Sequence, residues 1–294
     1  MSEEKEQVIK MSNAAVIRNR MKSIRQTVQL AGAQKLIAGA QLVKARRMFG
    51  QTQAFHDRIQ HTIAAILGDC EIKSKYLDTG AEPEKLGLLV ISADRGLAGG
   101  YNHNVTKLVE STIAKNPVVK VLATGRACYR KLSHMDVPLD HDFLYTVEKP
   151  TIHTAREIAE RIVEMFESGE VDSFDVIYTH FRSSLHMEPT LERLFPLSPE
   201  ILGDPPVHFS EYDPSPDAVL EILIPKYLKG FLFGSLVQAW LCELNSRVNA
   251  MDSAIKNGNE MLGKLSLTYN RIRQGAITQE ITEIVAAATS MEED

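Results

Sequence analysis

The sequence predicts an α/β protein in which long N- and C-terminal helices pair as an antiparallel coiled coil and flank a central domain of strands and helices. Three observations predict this fold class: apolar residues at heptad spacing in the C-terminal third, a proline-free N-terminal stretch of helix-forming residues, and apolar runs of strand length between them. With 294 residues, 44% of them hydrophobic, the chain is long enough to bury the core that such a domain requires.

The C-terminal helix, assigned to residues 217–290, is predicted from an unbroken apolar seam. Its members step by 4 and 3 residues over more than five heptads, which is typical of a left-handed coiled coil. Because proline fits the first turn of a helix, we expect regular helix to begin near Pro225. The seam consists of Val237, Leu241, Leu244, Val248, Met251, Ile255, Gly258, Leu262, Leu265, Tyr269, Ile272 and Ala276.

The N-terminal helix, assigned to residues 12–67, contains no proline and shows the same spacing at Ile17, Met21, Ile24 and Val28. At about 1.5 Å per residue, a helix of this length would reach roughly 80 Å. No single domain of this size is that long, so we expect the two terminal helices to pair with each other, antiparallel.

The central domain, assigned to residues 85–200, alternates apolar runs with helical stretches. The runs LGLLVIS, VVKVLAT and FDVIYTH have the length and β-branched composition of buried strands, at 86–92, 118–124 and 174–180. Helices are predicted between and after the first two runs, at 102–115, 126–135 and 151–168. Such alternation predicts a Rossmann-like layer with a partly parallel sheet.

A glycine-containing loop follows the first predicted strand, at the place where many α/β proteins bind phosphate. Its glycines, Gly96, Gly99 and Gly100, do not match the dinucleotide or the Walker spacing, and no acidic residue ends the second strand. We therefore interpret the loop as a structural turn in which glycines supply positive φ, with Asp94 and Arg95 as a local stabilising pair. No cofactor is expected.

Other site chemistry is not indicated by the sequence. The cysteines Cys70, Cys128 and Cys242 lie far apart and are interpreted as reduced thiols, and the nine histidines show no metal-binding spacing. No apolar run approaches the roughly 18 residues of a membrane span, and the N-terminus does not resemble a signal peptide.

Charge is distributed unevenly along the chain. Between Glu6 and Asp57 there are nine basic residues and no acidic ones, although the whole chain carries a net charge of −5. The remainder therefore carries −14, which is −5 minus +9. The residues alone leave two alternative functions open. One is a coiled coil that binds nucleic acid through its basic arm, and the other is a Rossmann-like enzyme with helical arms. Few aromatics on the arm disfavour the first, and the glycine spacing disfavours the second.

Three blocks of the sequence resemble the gamma subunit of F-type ATP synthases, the central rotor stalk. IRNRMKSIRQTVQLAGAQKLIAGAQLVKAR at 17–46 resembles the family's N-terminal stalk helix, and ISADRGLAGGYN at 91–102 resembles its central motif. YNRIRQGAITQEITEIV at 269–285 resembles its C-terminal signature. The sequence departs from the family at Ala93 and Ala98, where serine and cysteine are usual, and in the 30–36 stretch.

The resemblance implies a non-catalytic subunit that transmits torque between the membrane c-ring and a catalytic ring of alpha and beta subunits, and that helps regulate ATPase activity and ion flow. It also implies an epsilon subunit as partner, no nucleic acid, and a peripheral position at the cytoplasmic face of the cell membrane without membrane insertion. The cysteine-bearing insertion of the chloroplast form is missing.

The same resemblance supplies candidate contact residues. For the alpha–beta ring these are Arg18, Lys22, Arg25, Arg271, Arg273, Gln274, Thr278 and Gln279. For the foot, facing epsilon and the c-ring, they are Phe209, Glu211 and Tyr212.

Overall fold

The computed structural model describes residues 2–69, 76–77, 83–145, 147–197 and 212–292. The chain divides into two compact units. One comprises residues 1–37 and 249–294, and the other comprises residues 38–248. The described helices are α1 (Ser2–Asp69), α2 (Tyr101–Ile113), α3 (Arg126–Leu132), α4 (Ile152–Glu167) and α5 (Pro216–Glu292). The strands are β1 (Leu86–Ile91), β2 (Val118–Thr124), β3 (Leu139–Tyr145), β4 (Ser173–Phe181) and β5 (Met187–Phe195).

The unit 38–248 is built on a five-stranded sheet in the order β3-β2-β1-β4-β5. β1 pairs parallel with β2 and β4, and β2 pairs parallel with β3, whereas β5 runs antiparallel to β4. Leu89 at the centre lies opposite Leu122 on one side and Val176 on the other. The parallel strands joined by helices confirm the Rossmann-like part of the predicted fold.

Alternate residues of the central strands point into two apolar cores, one on each face of the sheet. Leu88 and Val90 pack with residues of α2 and α3. Leu89 and Ile91 pack with α4 and with the parts of α1 and α5 that belong to this unit. Because β1 is buried along its whole length, its sequence is continuously apolar rather than alternating.

The sequence did not predict the two strands at the edges of the sheet. β3 has the sequence LDHDFLY and β5 has the sequence MEPTLERLF, so both carry charged residues and neither forms an apolar run. An edge strand has one side without a partner strand, and charged side chains there discourage pairing with another chain. These strands therefore lack the composition by which the central strands were predicted.

Within the unit 1–37 and 249–294, the two terminal helices pair antiparallel. Lys35 of α1 forms an ion pair with Asp252 of α5. Further towards the C-terminus of α5, Gly258 lies against Val28 of α1. Residue numbers rise on one helix as they fall on the other, which is the predicted direction. Met21, Ala31 and Met251 are buried in this contact. The coiled-coil part of the predicted fold class is confirmed.

The expected start of the C-terminal helix near Pro225 is wrong, because α5 begins at Pro216 and Pro225 lies inside it. The side chain of Ser215 accepts a hydrogen bond from the Ala218 amide at 3.3 Å, so Ser215 caps the helix. Pro216 then occupies the first helical position, where the missing N–H is not needed. The argument from proline was sound, but it was applied to the wrong proline.

Candidate functional site

The loop between β1 and α2 is the candidate site that the sequence placed first. Of its three glycines only Gly99 has a positive φ, at 57°, and the left-handed position at φ 64° is occupied by Leu97. Gly100 has a φ of −80°. The interpretation that all three glycines supply positive φ is therefore wrong for Gly96 and Gly100.

Asp94 connects this loop to two other segments of the unit. Its carboxylate accepts hydrogen bonds from the amide of Arg126, the first residue of α3, and from the amides of Val147 and Glu148 before α4, at 3.2, 2.8 and 3.1 Å. Within the loop, the Ala93 amide donates to the side chain of Asn102 at 3.1 Å. The loop is therefore held by its own acidic and amide side chains.

Gly125, at the end of β2, allows the segment after β2 to approach the segment after β1 closely. Its φ is +88°, and a Cβ at this position would overlap the backbone carbonyl of Ser92. Only glycine fits there without displacing the end of β1. The hydroxyl of Ser92 donates to the Thr124 carbonyl at 3.2 Å and accepts from the Cys128 amide at 3.2 Å.

Asp94 and Arg95 were expected to stabilise their own turn. Both side chains instead bind the loop before α4. The Arg95 guanidinium lies 2.7 Å from the carboxylate of Glu148, and both side chains are largely exposed. Asp94 binds the backbone of the same segment. The expected local pair is therefore a bridge between two loops.

The loop also docks on α5, through residues that sequence reasoning did not single out. The hydroxyl of Tyr101 donates to the Ala239 carbonyl at 3.1 Å, and Arg247 donates to the Gly96 carbonyl at 2.6 Å. Arg247 also pairs with Glu243, one turn earlier on the helix. Burial raises the pKa of Glu243, and the Arg247 guanidinium opposes that rise.

A small apolar cluster completes this joint. Ala93, Ala98 and Tyr101 are buried against Cys242 of α5. Burial raises the pKa of the Cys242 thiol to about 12, so the thiol stays protonated and unreactive. The small side chains at 93 and 98 let the loop approach the helix closely. These contacts fix the loop after β1 against α5.

The candidate ring contacts all lie in the unit formed by residues 1–37 and 249–294. Arg18, Lys22 and Arg25 are exposed on α1, and none has an ion-pair partner among the described residues. On α5, Arg271, Arg273, Gln274 and Thr278 are exposed, and Gln279 is half-buried. The Thr278 hydroxyl donates to the Gln274 carbonyl at 2.9 Å, and Gln279 donates to Glu283 at 3.1 Å. Their role in binding other subunits remains a prediction.

Sequence reasoning missed an exposed apolar surface in the same unit, close to these polar residues on α5. Leu267 is 74% exposed and Ile284 is 69% exposed, and Ile277, Ile281 and Val285 are also exposed. Their spacing of 4 and 3 residues from 277 to 284 was visible in the sequence, but it begins one residue after the seam position Ala276 and was not distinguished from the seam. Contiguous exposed apolar side chains usually mark a binding surface.

Of the candidate foot contacts, Phe209 and Glu211 lie outside the residues that the structure describes. Tyr212 is half-buried and packs against the large core of the unit 38–248. Within the described part of the chain, no group of three or more His, Cys, Asp or Glu residues could hold a metal ion. No helix in that part is both long and apolar enough to cross a membrane.

Comparisons with known proteins identify the family. A family model described as ATP synthase matches residues 13–291. The ATP synthase gamma chain of Ruminiclostridium cellulolyticum is 40% identical over 299 aligned positions, which cover 96% of this chain and 99% of the relative. The gamma chain of Acetivibrio thermocellus is 38% identical and is covered over its whole length. The chain belongs to the ATP synthase gamma family.

A solved structure supports the same fold. A chain of the Euglena gracilis mitochondrial ATP synthase, from an assembly of OSCP, F1 and c-ring, matches with a TM-score of 0.68 over 95% of each chain. The two sequences are 16% identical, so this similarity shows the fold alone. The resemblance read from the three sequence blocks is confirmed by the family match, and the alternatives of a nucleic-acid-binding protein and an enzyme are not favoured.

Proposed function

We propose that this chain, as the central stalk of a rotary ATP synthase, transmits torque between a catalytic ring of alpha and beta subunits and a c-ring in the membrane. The paired arms, residues 12–67 and 217–290, form the shaft, and the α/β domain, residues 85–200, forms the foot. Through this coupling it helps regulate ATPase activity and ion flow. The observation that carries the proposal is the surface of the paired helices, which combines unpaired cations with exposed apolar side chains.

That surface is unfavourable for a helical pair that stays in water. Arg18, Lys22 and Arg25 recur at spacings of 4 and 3 along one helix, where like charges repel each other and stabilise nothing in the fold. A ring lined with acidic groups would attract them with about 1–4 kcal/mol per close contact. The exposed side chains of Ile277, Ile281 and Ile284 offer apolar area to the same partner.

In this proposal the chain catalyses no reaction and binds no cofactor. The loop after β1 supports this view, because it places a carboxylate, Asp94, against the amides of Arg126 and Val147, and a carboxylate repels a phosphate group. The same observation disfavours a Rossmann-like enzyme. Calorimetry of the full chain with ATP is expected to show no saturable binding at about 1 mM, a concentration that would detect even weak sites.

We further propose that the foot contacts an epsilon subunit and the c-ring, with Phe209, Glu211 and Tyr212 among the contacts. The complex would then lie at the cytoplasmic face of the cell membrane, and this chain would be bound peripherally. Of these three residues the structure describes Tyr212, which is half-buried against the core of the unit 38–248. Replacing Phe209 with alanine should weaken co-purification with the c-ring and leave binding to alpha and beta unchanged.

Assembly tests the shaft directly. The chain is co-expressed with alpha and beta subunits, and the triple variant Arg18→Glu, Lys22→Glu, Arg25→Glu is compared with the unaltered chain. Assembly should slow and coupled ATPase activity should fall, with a defect that varies with ionic strength because salt screens charges beyond about 10 Å. Single alanine variants should differ little from the unaltered chain.

The matched control is Lys107→Glu, Lys115→Glu, Arg126→Glu, which makes the same charge change on the unit 38–248. This variant should bind the alpha–beta ring normally. If both triple variants assemble and turn over normally at low salt, the cations on α1 are only solvated surface. If both fail equally, net charge rather than the α1 surface controls assembly.

A further inference from the structure

The unit 38–248 contains a cavity that no function described above uses. It has a volume of about 490 Å³ and lies where α1, the strands β4 and β5, and α5 come together. Its lining includes His56, Tyr178, Glu192, Tyr227 and Phe231. This volume is within the range of small-molecule sites in proteins, so the chemistry of the lining decides what would bind.

Aromatic rings form much of the cavity wall. The ring of His56 lies 5.5 Å from that of Tyr227 and 5.7 Å from that of Phe231, measured between centroids. The ring of Tyr178 stands edge-on to Phe231 at 6.3 Å. A ring face that borders such a space attracts an ammonium group, because the face of an aromatic ring carries partial negative charge.

The ionised side chains of the lining are negative. Glu192 and Asp57 are the carboxylates, and no Lys or Arg from the described residues lines the cavity. Tyr178 donates a hydrogen bond to Glu192 at 2.9 Å, which fixes the carboxylate on the cavity side of β5. Burial lowers the pKa of His56, with the charge of Asp57 opposing the effect, so this imidazole is neutral near pH 7. An anion would find no counter-charge here.

Tyr227 adds a hydroxyl group to the cavity lining. The residue is nearly buried, at 3% exposure, and it belongs to the residues that line the cavity. A tyrosine hydroxyl can both donate and accept a hydrogen bond, so it offers a polar contact to a bound molecule that carries a hydroxyl group.

We propose that this cavity binds a small organic cation, an amine or methylated ammonium compound with a short polar arm. The cationic head would lie among Tyr178, Tyr227 and Phe231 with Glu192 as its counter-ion, and the polar arm would meet the Tyr227 hydroxyl. A metal ion is the less suitable occupant, because the described residues contain no cluster of three metal ligands. The proposal does not depend on the role of the chain as a stalk.

The test compares a cation with its neutral isostere on the full chain. Choline and 3,3-dimethyl-1-butanol have the same shape and differ in one charged atom, so the comparison needs no variant and no assumption about folding. Titration followed by calorimetry should give saturable choline binding, with the neutral alcohol weaker by about tenfold or more, the effect of a desolvated cation–π and ion contact. Equal binding of the two compounds would show an apolar cavity only and would overturn the proposal.

Variants then locate the site. Glu192→Gln keeps the size and the acceptor for Tyr178 but removes the charge, and it should weaken choline binding about tenfold. Tyr227→Phe keeps the ring and should weaken binding by about threefold, since only one hydrogen bond is lost. The matched control, Glu188→Gln, changes a carboxylate on the same strand that pairs with Arg182 outside the cavity and should leave binding unchanged. Absence of saturable binding, or equal loss in Glu188→Gln and Glu192→Gln, would contradict the assignment.

Discussion

At the scale of single residues, the loop after β1 is held in place by side chains far from it in sequence. Arg247 reaches the Gly96 carbonyl across 151 positions of the chain, and Glu243 keeps the guanidinium in place. A carboxylate and a guanidinium that are both nearly buried stabilise a fold only while both are present. The geometry of the loop therefore depends on α5 as much as on its glycines.

Removing Arg247 should reveal this dependence. In Arg247→Ala the carboxylate of Glu243 loses its partner in a buried position, and the free energy of unfolding should fall by about 3 kcal/mol. Urea unfolding of the full chain measures the change. Arg95→Ala, in the same loop, breaks an exposed pair with Glu148 and should cost at most about 1 kcal/mol. Equal effects of the two variants would show that burial of the Arg247 pair contributes nothing.

His56 should make stability depend on pH. Burial lowers its pKa in the folded state, whereas the unfolded chain binds the proton at the ordinary value of 6.5. Below that value the unfolded state takes up more protons than the folded state. The contribution of His56 to the free energy of unfolding is therefore fully present above pH 6.5 and is lost as pH falls towards the folded pKa. Urea unfolding at about pH 7.5 and about pH 5.5 should show a smaller decrease for His56→Gln than for the unaltered chain. The exposed His61→Gln should not change the decrease, and an unchanged decrease in His56→Gln would refute the assignment.

At the scale of elements, sequence pattern predicts the long helices and the buried strands but not the edges. Heptad spacing predicts α5 because apolar residues recur every 3 or 4 positions along one face of the helix. β1 is predicted because it is apolar throughout. β3 and β5 carry charged residues among their apolar ones, so their strand state comes from pairing with β2 and β4 rather than from a local apolar run. Such pairing is a tertiary effect that local pattern does not contain.

Two glycines of α5, one in the seam and one outside it, provide a matched test of helix pairing. A Cβ at Gly258 would overlap the Val28 side chain, whereas a Cβ at Gly263 on the same helix meets nothing within 4 Å. Gly263→Ala should therefore raise stability by about 0.5–1 kcal/mol, the ordinary gain of alanine in a helix. Gly258→Ala should lower it by about 1 kcal/mol or more through overpacking.

Circular dichroism during thermal unfolding measures both glycine variants. Adding Val28→Ala to Gly258→Ala should restore the lost stability, because it removes the overlapping methyl groups. If Gly258→Ala stabilises the chain as much as Gly263→Ala, Gly258 does not face Val28 and the antiparallel register is wrong.

In the molecule as a whole, the two compact units have different features. The unit 38–248 holds a sheet, two apolar cores and the Arg247 joint, whereas the unit 1–37 and 249–294 holds the exposed cations and apolar side chains. The sequence blocks were enough to predict the fold class and the family. They could not predict Arg247 as a clamp or the cavity at Tyr227, because these features require residues from separate elements to meet.

The most direct test of the central claim is rotation of this chain inside an assembled alpha–beta ring. Leu185 is 96% exposed on the unit 38–248, and Cys128 and Cys242 are buried, so Leu185→Cys in a Cys70→Ser background gives a point for attaching a bead. With the ring fixed to a surface and ATP supplied, the bead should turn in one direction, at a rate that follows ATP hydrolysis. Steady hydrolysis by the same complexes with a bead that does not turn would show that this chain is not the rotating shaft.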